Sequence, residues 1–533
     1  MSHYDPESRT WNGPRQPPVF NPAASVGQVI VNILERTPDK IFEISADTEQ
    51  SYTCNELRMR TIRAALNISS KFELAKGDMV CIIADNSACV TPVLFGCFLI
   101  GAPVHTLDSS FEETDLVHLM GITKPKLVFC NVHNLKRVEN SIGIAALEAR
   151  IILLNDPSTE ELFTPVNNES TYRPPYLGDS DKTVALIVCS SGTTSFPKAI
   201  CLSHAQLIAP YPRVSNLLGE TALSFSSLFW FSAIQMLMTV LMNGGTRITT
   251  TKPFNPEYAC QLINKYRVMH FFTPPSMLAD WLHYCESKQL RLPSLRILGC
   301  GGSPLPETLR SRANALLAPQ GRVFVGYGMS EVGAIVTIDL LGVPNSAGLL
   351  MSNVTARISN ESGELLQPNQ EGEVQLRYVH PFAGYYGNEK ESRDLLTPDG
   401  FIRSGDIGYF DQKGFLFITD RKKEMLRFRG YQIAPAQLEA ILMEHPGIVQ
   451  ATVVGIPDPE PPHVDLATAL VVTTGTTPVT EDQISAYVNG KVPDYKRIRG
   501  GVFFVESIPL TVNGKTNRQE CKKLALKLAA LRG

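Results

Sequence analysis

A buried strand that runs into a hydroxyl-rich loop limits the possible folds more than any other segment of this sequence. The apolar run from Val184 to Val188 is short and continuous, which is typical of a strand buried on both faces. The stretch Cys189 to Lys198 follows it and carries five Ser and Thr hydroxyls. Gly192 lets backbone N–H groups approach an anion closely, and Lys198 adds a positive charge. We predict a polyphosphate-binding loop here, and an ordinary surface turn is the alternative.

The residues before this strand alternate between helical and strand patterns. Apolar residues between positions 29 and 34 recur at helical spacing, whereas the run Met79 to Ala84 is β-like. Further strand patterns follow at residues 127–130 and 151–154. This alternation predicts an α/β fold, in which helices flank mixed, mostly parallel sheets.

Length and composition exclude several functional classes. The 533 residues are enough for one large domain and one small domain. A net charge of -3 gives no positive electrostatic field that would attract nucleic acid. The 11 cysteines include no C-x-x-C pair, which argues against a zinc site and against a disulfide framework. No stretch is apolar and long enough to predict a signal peptide or a transmembrane segment. We therefore expect a cytoplasmic monomer.

Two short segments in the second half of the chain predict contacts to a nucleotide. Gly301-Gly302-Ser303 ends a strand pattern, and its paired glycines let a ligand approach the backbone closely. Ser404-Gly405-Asp406 places a carboxylate at a predicted tight turn, where it can accept hydrogen bonds from two ribose hydroxyls. Taken alone, each segment is more often a structural turn or cap than a ligand site.

A third segment, GYGMSE, follows a strand pattern at residues 323–325. Tyr327 lies between Gly326 and Gly328, so its ring can lie flat against adenine. Ser330 can donate to a phosphate, and Glu331 can hold a divalent cation through oxygen. The alternative is a turn with an exposed acid.

The charged run Asp420 to Lys423 interrupts the apolar pattern and predicts a domain boundary. We assign residues 1–419 to a large domain and 420–533 to a small α+β domain, which includes a helix near Pro435. Lys515 follows an Asn513-Gly514 turn, so we expect it on an exposed loop.

The stretch 189–198 resembles the signature loop of the adenylate-forming superfamily, which includes acyl-CoA synthetases, 4-coumarate:CoA ligases and beetle luciferases. Ser195 and Ala199 stand where the superfamily pattern has glycines. The other motifs occur in the superfamily's order over nearly the whole chain. The run 430–435 is most similar to the insect luciferase-like branch of acyl-CoA ligases. The residues of the loop that match the superfamily are Ser191, Gly192, Thr193, Thr194, Pro197 and Lys198.

The resemblance implies a large adenylation domain, a small C-terminal domain on a hinge, and an ATP-dependent acid:CoA ligase for fatty or related apolar acids. Such an enzyme forms an acyl-adenylate and pyrophosphate, and then an acyl-CoA thioester and AMP. The implied cofactors are ATP, Mg²⁺ and coenzyme A, and the implied partner is a small carboxylic acid. The residues that would bind ATP and AMP are Ser190, Ser191, Gly192, Thr193, Thr194, Lys198, Gly302, Ser303, Gly326, Tyr327, Gly328, Ser330, Asp406 and Arg421.

Three residues take catalytic roles by the same resemblance. Lys515 would bridge the substrate carboxylate and the α-phosphate, and Glu331 would hold Mg²⁺. Arg427 stands where relatives place a functional lysine for the thiol step. The coenzyme A side would also include Arg429 and Gly430, and the hinge would comprise Asp420, Lys422 and Lys423.

The acyl pocket implied by the resemblance includes Gly301, Gly328 and the pair Trp230 and Phe231. Luciferases and many ligases have a histidine in this last segment, so the two large rings argue against light emission. A luciferase-type mono-oxygenase stays open as an alternative, and so does a non-catalytic nucleotide-binding relative. Many relatives end in a peroxisomal Ser-Lys-Leu-type signal, whereas this chain ends in Leu-Arg-Gly. A peroxisomal location is the alternative to a cytoplasmic one.

Overall fold

The computed structural model describes residues 2–189, 197–209, 220–429, 431–458, 460, 464–474, 479–511 and 515–532. Within these residues a large N-terminal domain of sheets and flanking helices is followed by a smaller α+β domain, which confirms the predicted fold class. No helix in these segments is both long and apolar enough to cross a bilayer.

Helices flank the sheets of the large domain throughout its length. In chain order they are α1 (Val26–Arg36), α2 (Cys54–Phe72), α3 (Val90–Ile100), α4 (Glu113–Thr123), α5 (Leu135–Ile144), α6 (His204–Ile208), α7 (Phe231–Asn243), α8 (Pro256–Lys265), α9 (Pro275–Ser287), α10 (Glu307–Leu316) and α11 (Glu389–Leu395).

The strands of the large domain alternate with these helices in its first half and follow one another in its second half. They are β1 (His3–Asp5), β2 (Thr10–Asn12), β3 (Ile41–Ser45), β4 (Ser51–Thr53), β5 (Val80–Ile83), β6 (Val104–Leu107), β7 (Leu127–Asn131), β8 (Arg150–Leu154), β9 (Val184–Cys189), β10 (Ala199–Ser203), β11 (Thr221–Ser224), β12 (Thr246–Thr249), β13 (His270–Thr273), β14 (Ile297–Gly301), β15 (Arg322–Met329), β16 (Ala334–Asp339), β17 (Gly348–Leu350), β18 (Val354–Ser359), β19 (Gly372–Tyr378), β20 (Ile402–Phe410) and β21 (Phe415–Arg421).

These strands form two sheets. The first has the order β10-β9-β6-β5-β7-β8 and is parallel except at the β10–β9 pair. The second has the order β1-β2-β18-β19-β20-β21-β17-β16-β15-β14-β13-β11-β12-β3-β4. Its stretch from β15 to β3 is parallel, and the rest is antiparallel.

The C-terminal domain has its own apolar core, built on residues such as Ile433, Leu438 and Ile484. A hairpin precedes a small mixed sheet in the order β24-β25-β26, where β25 and β26 are parallel. Its elements are β22 (Leu426–Phe428), β23 (Tyr431–Ile433), α12 (Pro435–Met443), β24 (Ile448–Pro457), β25 (Asp465–Thr473), α13 (Glu481–Asn489), β26 (Gly501–Phe504) and α14 (Arg518–Ala530).

The registers of β13, β14 and β15 determine which side chains share a face of the long sheet. Phe272 lies opposite Gly299, and Gly299 lies opposite Phe324. Because side chains alternate along a strand, these three positions face one way and their neighbours face the other. Leu298, for example, is buried in the core on the opposite face. The glycine-bearing face is therefore available to form a cavity.

One segment predicted as a tight turn, and another for which a turn was the alternative, are strands. Tyr327 lies within β15 and pairs with Thr337 of β16, so the strand continues through the glycines. Asp406 lies within β20 and pairs with Arg421 of β21, although Gly405 before it has a φ of 71°. In both cases the next strand along the chain supplies the backbone hydrogen bonds.

Candidate active site

A cavity of about 470 Å³ lies on the glycine-bearing face of β13, β14 and β15. It extends from Gly301 and Gly326 at one end of the strands to His270 and Ile297 at the other. Ile297 and Gly301 are four residues apart, a distance of about 13 Å along a strand. The cavity is therefore deep enough to hold an extended chain or a ring with a short linker.

Glycine at position 299 allows two aromatic rings to pack against the floor of the cavity. A Cβ atom at this position would lie 2.6 Å from Phe324 Cζ and 3.0 Å from Phe272 Cδ2. At the open end, a Cβ on Gly301 would lie 2.7 Å from the carbonyl oxygen of Gly326. Because these glycines carry no Cβ atom, the two rings fit against the strand and the space above it stays free for a ligand.

Trp230 and Phe231, the pair named for an acyl pocket, line this cavity. Trp230 immediately precedes α7, and Phe231 is the first residue of that helix. The indole ring packs edge-on against Phe229, with the ring centroids 4.4 Å apart, and Phe229 packs in the same manner against Phe111. These contacts hold the tryptophan between the core and the cavity.

Lys515 of the C-terminal domain reaches the open end of the cavity. A Cβ on Gly302, whose φ is 90°, would lie 3.3 Å from Lys515 Cε. Burial lowers the pKa of Lys515 to about 8, and the nearby Arg421 acts in the same direction. The lysine was predicted on an exposed loop, but it is half-buried because the two domains pack together at this point.

Tyr327, Asp406 and Arg421 form a hydrogen-bonded cluster next to this lysine. The Tyr327 hydroxyl donates to Asp406 Oδ2 at 2.7 Å, and Arg421 Nε donates to Asp406 Oδ1 at 2.8 Å. Burial raises the pKa of Tyr327, and the negative charge of Asp406 raises it further. The pKa of Arg421 is raised by Asp406. The cluster therefore presents a carboxylate whose two oxygens are oriented by the protein.

Glu331 lies in a short 3-10 helix after β15 and contacts a residue that the sequence did not suggest. The Tyr385 hydroxyl donates to Glu331 Oε1 at 3.0 Å, and burial raises the pKa of Glu331. The described residues contain no cluster of three or more potential metal ligands. One carboxylate nonetheless suits Mg²⁺ in a nucleotide site, because Mg²⁺ usually takes one or two carboxylates and completes its shell with phosphate oxygens and water.

Lys198 lies just before β10 and near Glu331. Its ammonium group is 4.9 Å from the centre of the Tyr385 ring, the same ring whose hydroxyl bonds to Glu331. It also forms an ion pair with Glu391 of α11. Ser330 and Gly328 line the cavity close by, and Ser303 directly follows the cavity-lining Gly302.

The residues predicted for the hinge and the coenzyme A side lie away from the cavity lining. Asp420 ends the large sheet and accepts a hydrogen bond from the Ala436 N–H of α12 at 3.2 Å. Burial raises the pKa of Asp420 to about 6. Lys422 donates to Glu373 at 3.2 Å, and Lys423 is exposed. The two arginines predicted for this side, Arg427 and Arg429, are exposed on the β22–β23 hairpin.

Several predicted site residues lie outside the described part of the chain. They are Ser190, Ser191, Gly192, Thr193, Thr194 and Gly430. Sequence reasoning missed Phe272 and Phe324, which the period-two alternation of their strands could have placed on the face of Gly299. It also missed Tyr385 and Glu391, for which no local pattern gives a signal.

The chain matches two family descriptions, AMP-binding enzyme over residues 31–386 and AMP-binding enzyme C-terminal domain over residues 437–515. It is 28% identical to a probable 4-coumarate–CoA ligase 3 of Dictyostelium discoideum, covering 96% of this chain and 98% of the relative. It is 27% identical to the luciferin 4-monooxygenase of Photuris pensylvanica, covering 95% and 97%. The fold is similar to that of ATP-bound MatB from Rhodopseudomonas palustris, with a TM-score of 0.83 at 20% identity over 94% of this chain and 99% of the other.

Proposed function

Because this chain belongs to the AMP-binding enzyme family and is an acid–thiol ligase of the AMP-forming kind, we propose that it joins a fatty or related apolar acid to coenzyme A. A substrate carboxylate oxygen attacks the α-phosphorus of ATP, and the bond from that phosphorus to the leaving pyrophosphate breaks. The thiol of coenzyme A then attacks the acyl carbon, and AMP leaves. The observation that carries the proposal is the position of Lys515 at the open end of an apolar cavity.

The role of Lys515 follows from charge. The attacking carboxylate and the phosphate are both anionic, so the first step needs a positive group positioned between them. The half-buried ammonium group lies beside Gly302, at the end of the cavity where a carboxyl group would emerge. Low local polarity strengthens its interaction with an anion compared with water.

The cluster of Tyr327, Asp406 and Arg421 is our proposed nucleoside site. Asp406 is almost fully buried, and its oxygens already accept from the other two side chains. A carboxylate oxygen has a second acceptor site, so each can still accept a ribose hydroxyl. Glu331 would hold Mg²⁺ against the phosphates, and the bound ion would neutralise charge on the phosphate oxygens.

The walls of the cavity support an acid with an apolar body. Phe225, Phe254, Phe272 and Phe324 line it together with Met277. Burying a methylene group there stabilises the complex by about 0.8 kcal/mol. Polar residues line it as well, among them Gln235, Thr239 and His270. A further polar contact lies where the Ser227 hydroxyl donates to Asp108 at 3.3 Å.

We propose that the thiol step follows rotation of the C-terminal domain about the residues at Asp420 to Lys423. In the observed arrangement Lys515 occupies the cavity entrance, whereas Arg427 and Arg429 are exposed on another face of the small domain. Rotation would exchange these faces. The two guanidinium groups would then meet the phosphates of coenzyme A, which they suit by their planar donor geometry.

The test is acid-dependent exchange of pyrophosphate into ATP, measured across aliphatic and aromatic acids, with thioester detection after addition of coenzyme A. We expect exchange and thioester formation with apolar acids, and a rate that depends on alkyl length. A preference for hydroxylated aromatic acids would overturn the substrate class but not the ligase activity. Exchange without thioester would favour a luciferase-type mono-oxygenase, the activity named for the 27% identical Photuris relative. No exchange with any acid would overturn the proposal.

A further inference from the structure

Glu391 is an acidic side chain that forms an ion pair with Lys198. It lies on α11, which is remote from the signature stretch in sequence. Two backbone hydrogen bonds bring the segments together: the Tyr386 N–H donates to the Ala199 carbonyl at 2.8 Å, and the Cys201 N–H donates to the Gly384 carbonyl at 2.9 Å. The ion pair is thus held by backbone pairing as well as by the two side chains.

The pair lies next to the proposed phosphate and metal site. The Tyr385 ring contacts the Lys198 ammonium group on its face and Glu331 through its hydroxyl. A lysine in this position can bind a phosphate oxygen as a point charge. The Glu391 carboxylate already neutralises that charge, so a phosphate must displace it in order to bind the lysine.

We propose that Glu391 is a displaceable counter-ion, which holds Lys198 until the phosphate chain of ATP replaces it and which thereby sets the affinity for ATP. This inference rests on the ATP site of the proposed function. Both side chains are partly exposed, at 36% for Lys198 and 43% for Glu391, whereas Glu391 Oε2, the oxygen that faces the ammonium group, is itself buried in the contact. Separating the pair therefore needs rotation of two side chains at the surface and no unfolding. Lys198 lowers the pKa of Glu391, and Lys423 of the predicted hinge adds to this effect. Lys423 therefore remains as a positive neighbour of Glu391 after the Lys198 ammonium group has bound a phosphate oxygen.

The size of the effect follows from the exposure of the pair. Solvent-exposed ion pairs contribute modestly to stability, because water screens them. Removing the carboxylate should therefore tighten ATP binding by about two- to fivefold. It should lower KM for ATP and leave kcat unchanged, because Glu391 acts on Lys198 only before the nucleotide binds.

The experiment compares Glu391→Gln with a matched control, Glu389→Gln, on the same first turn of α11. Glu389 is almost fully exposed and lies 4.0 Å from Arg393, so its loss removes the same charge without touching Lys198. Calorimetric titration with α,β-methylene-ATP and Mg²⁺, without any acid, measures affinity directly. We expect E391Q to bind the analogue about two- to fivefold more tightly and E389Q to bind like the wild type. Equal affinities for the two variants, or weaker binding by E391Q, would overturn the proposal.

A second pair of variants separates competition for Lys198 from direct repulsion of phosphate. In a Lys198→Ala background, E391Q has no lysine to release, so we expect no gain in affinity. A gain equal to that in the wild-type background would show that Glu391 repels ATP independently of Lys198. Failure of the proposed function has a different signature, because no acid would then support pyrophosphate exchange while the binding results could still hold.

Discussion

The hydroxyl of Tyr327 donates a hydrogen bond to Asp406 at 2.7 Å, and this contact joins β15 to β20 across the proposed nucleoside site. We expect Tyr327→Phe to weaken ATP binding about tenfold, since hydrogen bonds to charged groups contribute about 1.5–3 kcal/mol. It should also reduce discrimination between ATP and 2′-deoxy-ATP, because Asp406 would lose its fixed orientation toward the ribose. Tyr409→Phe is the control, since Tyr409 stacks on Phe417 elsewhere on β20. Unchanged discrimination in Tyr327→Phe would assign the contact to stability alone.

Sequence patterns correctly predicted those helices and strands whose signal lies in consecutive residues. The apolar run before the signature stretch is β9. The helix predicted near Pro435 is α12, which begins at that residue. In each case the signal and the structure lie within a few residues of each other, so sequence spacing was sufficient.

Contacts between distant segments were not predictable in this way. Asp406 was placed in a turn because Gly405 precedes it, but pairing with Arg421 makes the segment a strand. Ala199 stands where the superfamily pattern has a glycine, and its side chain is buried at the start of β10 against residues such as Ile187. Lys515 follows an Asn-Gly turn on the sequence, yet the packing of two domains half-buries it.

Lys515→Ala should slow adenylate formation on the order of a hundred- to a thousandfold, as the loss of one preorganised charged donor does in other sites. It should leave thioester formation from preformed acyl-adenylate at the wild-type rate. The two half-reactions are measured separately by pyrophosphate exchange and by rapid mixing of the adenylate with coenzyme A. Wild-type exchange by the variant would contradict the role given to Lys515.

The pKa of Lys515 leads us to expect a fall in the rate of adenylation at alkaline pH, which is the alkaline limb of the pH profile. Its pKa is lowered to about 8, so the ammonium form is present below that pH and is lost above it. The kcat/KM for adenylation should therefore fall as pH rises through about 8, because kcat/KM reports the free enzyme. Lys515→Arg, whose guanidinium stays charged, should remove this limb while lowering the plateau. An alkaline limb that persists in the arginine variant would assign it to another group.

Asp420 predicts a pH-dependent contribution to stability at the junction of the two domains. Burial raises its pKa to about 6 from the ordinary 3.8 of an aspartate, so the folded protein favours the protonated carboxyl. Its contribution is therefore fully present below the unfolded pKa and is lost as pH rises toward 6. Asp420→Asn cannot ionise, so the Tm of the variant relative to wild type should rise between pH 4.5 and 6 and stay constant above. A difference that is constant over the whole range would show that Asp420 does not titrate there.

The aromatic pair at the start of α7 predicts how the cavity selects its acid. Trp230 and Phe231 both line the cavity, and neither offers a hydrogen-bond acceptor to a polar substrate. The kcat/KM should climb with alkyl length until the cavity is full, and Trp230→Ala and Phe231→Ala should each move the optimum to longer acids. The shift should be larger for Trp230→Ala, because the indole ring is the larger of the two.

Phe229→Ala is the control, since Phe229 is buried behind Trp230 and outside the cavity lining. It should lower Tm without moving the optimum. Four profiles with one common optimum would place both rings in the core and remove them from substrate selection.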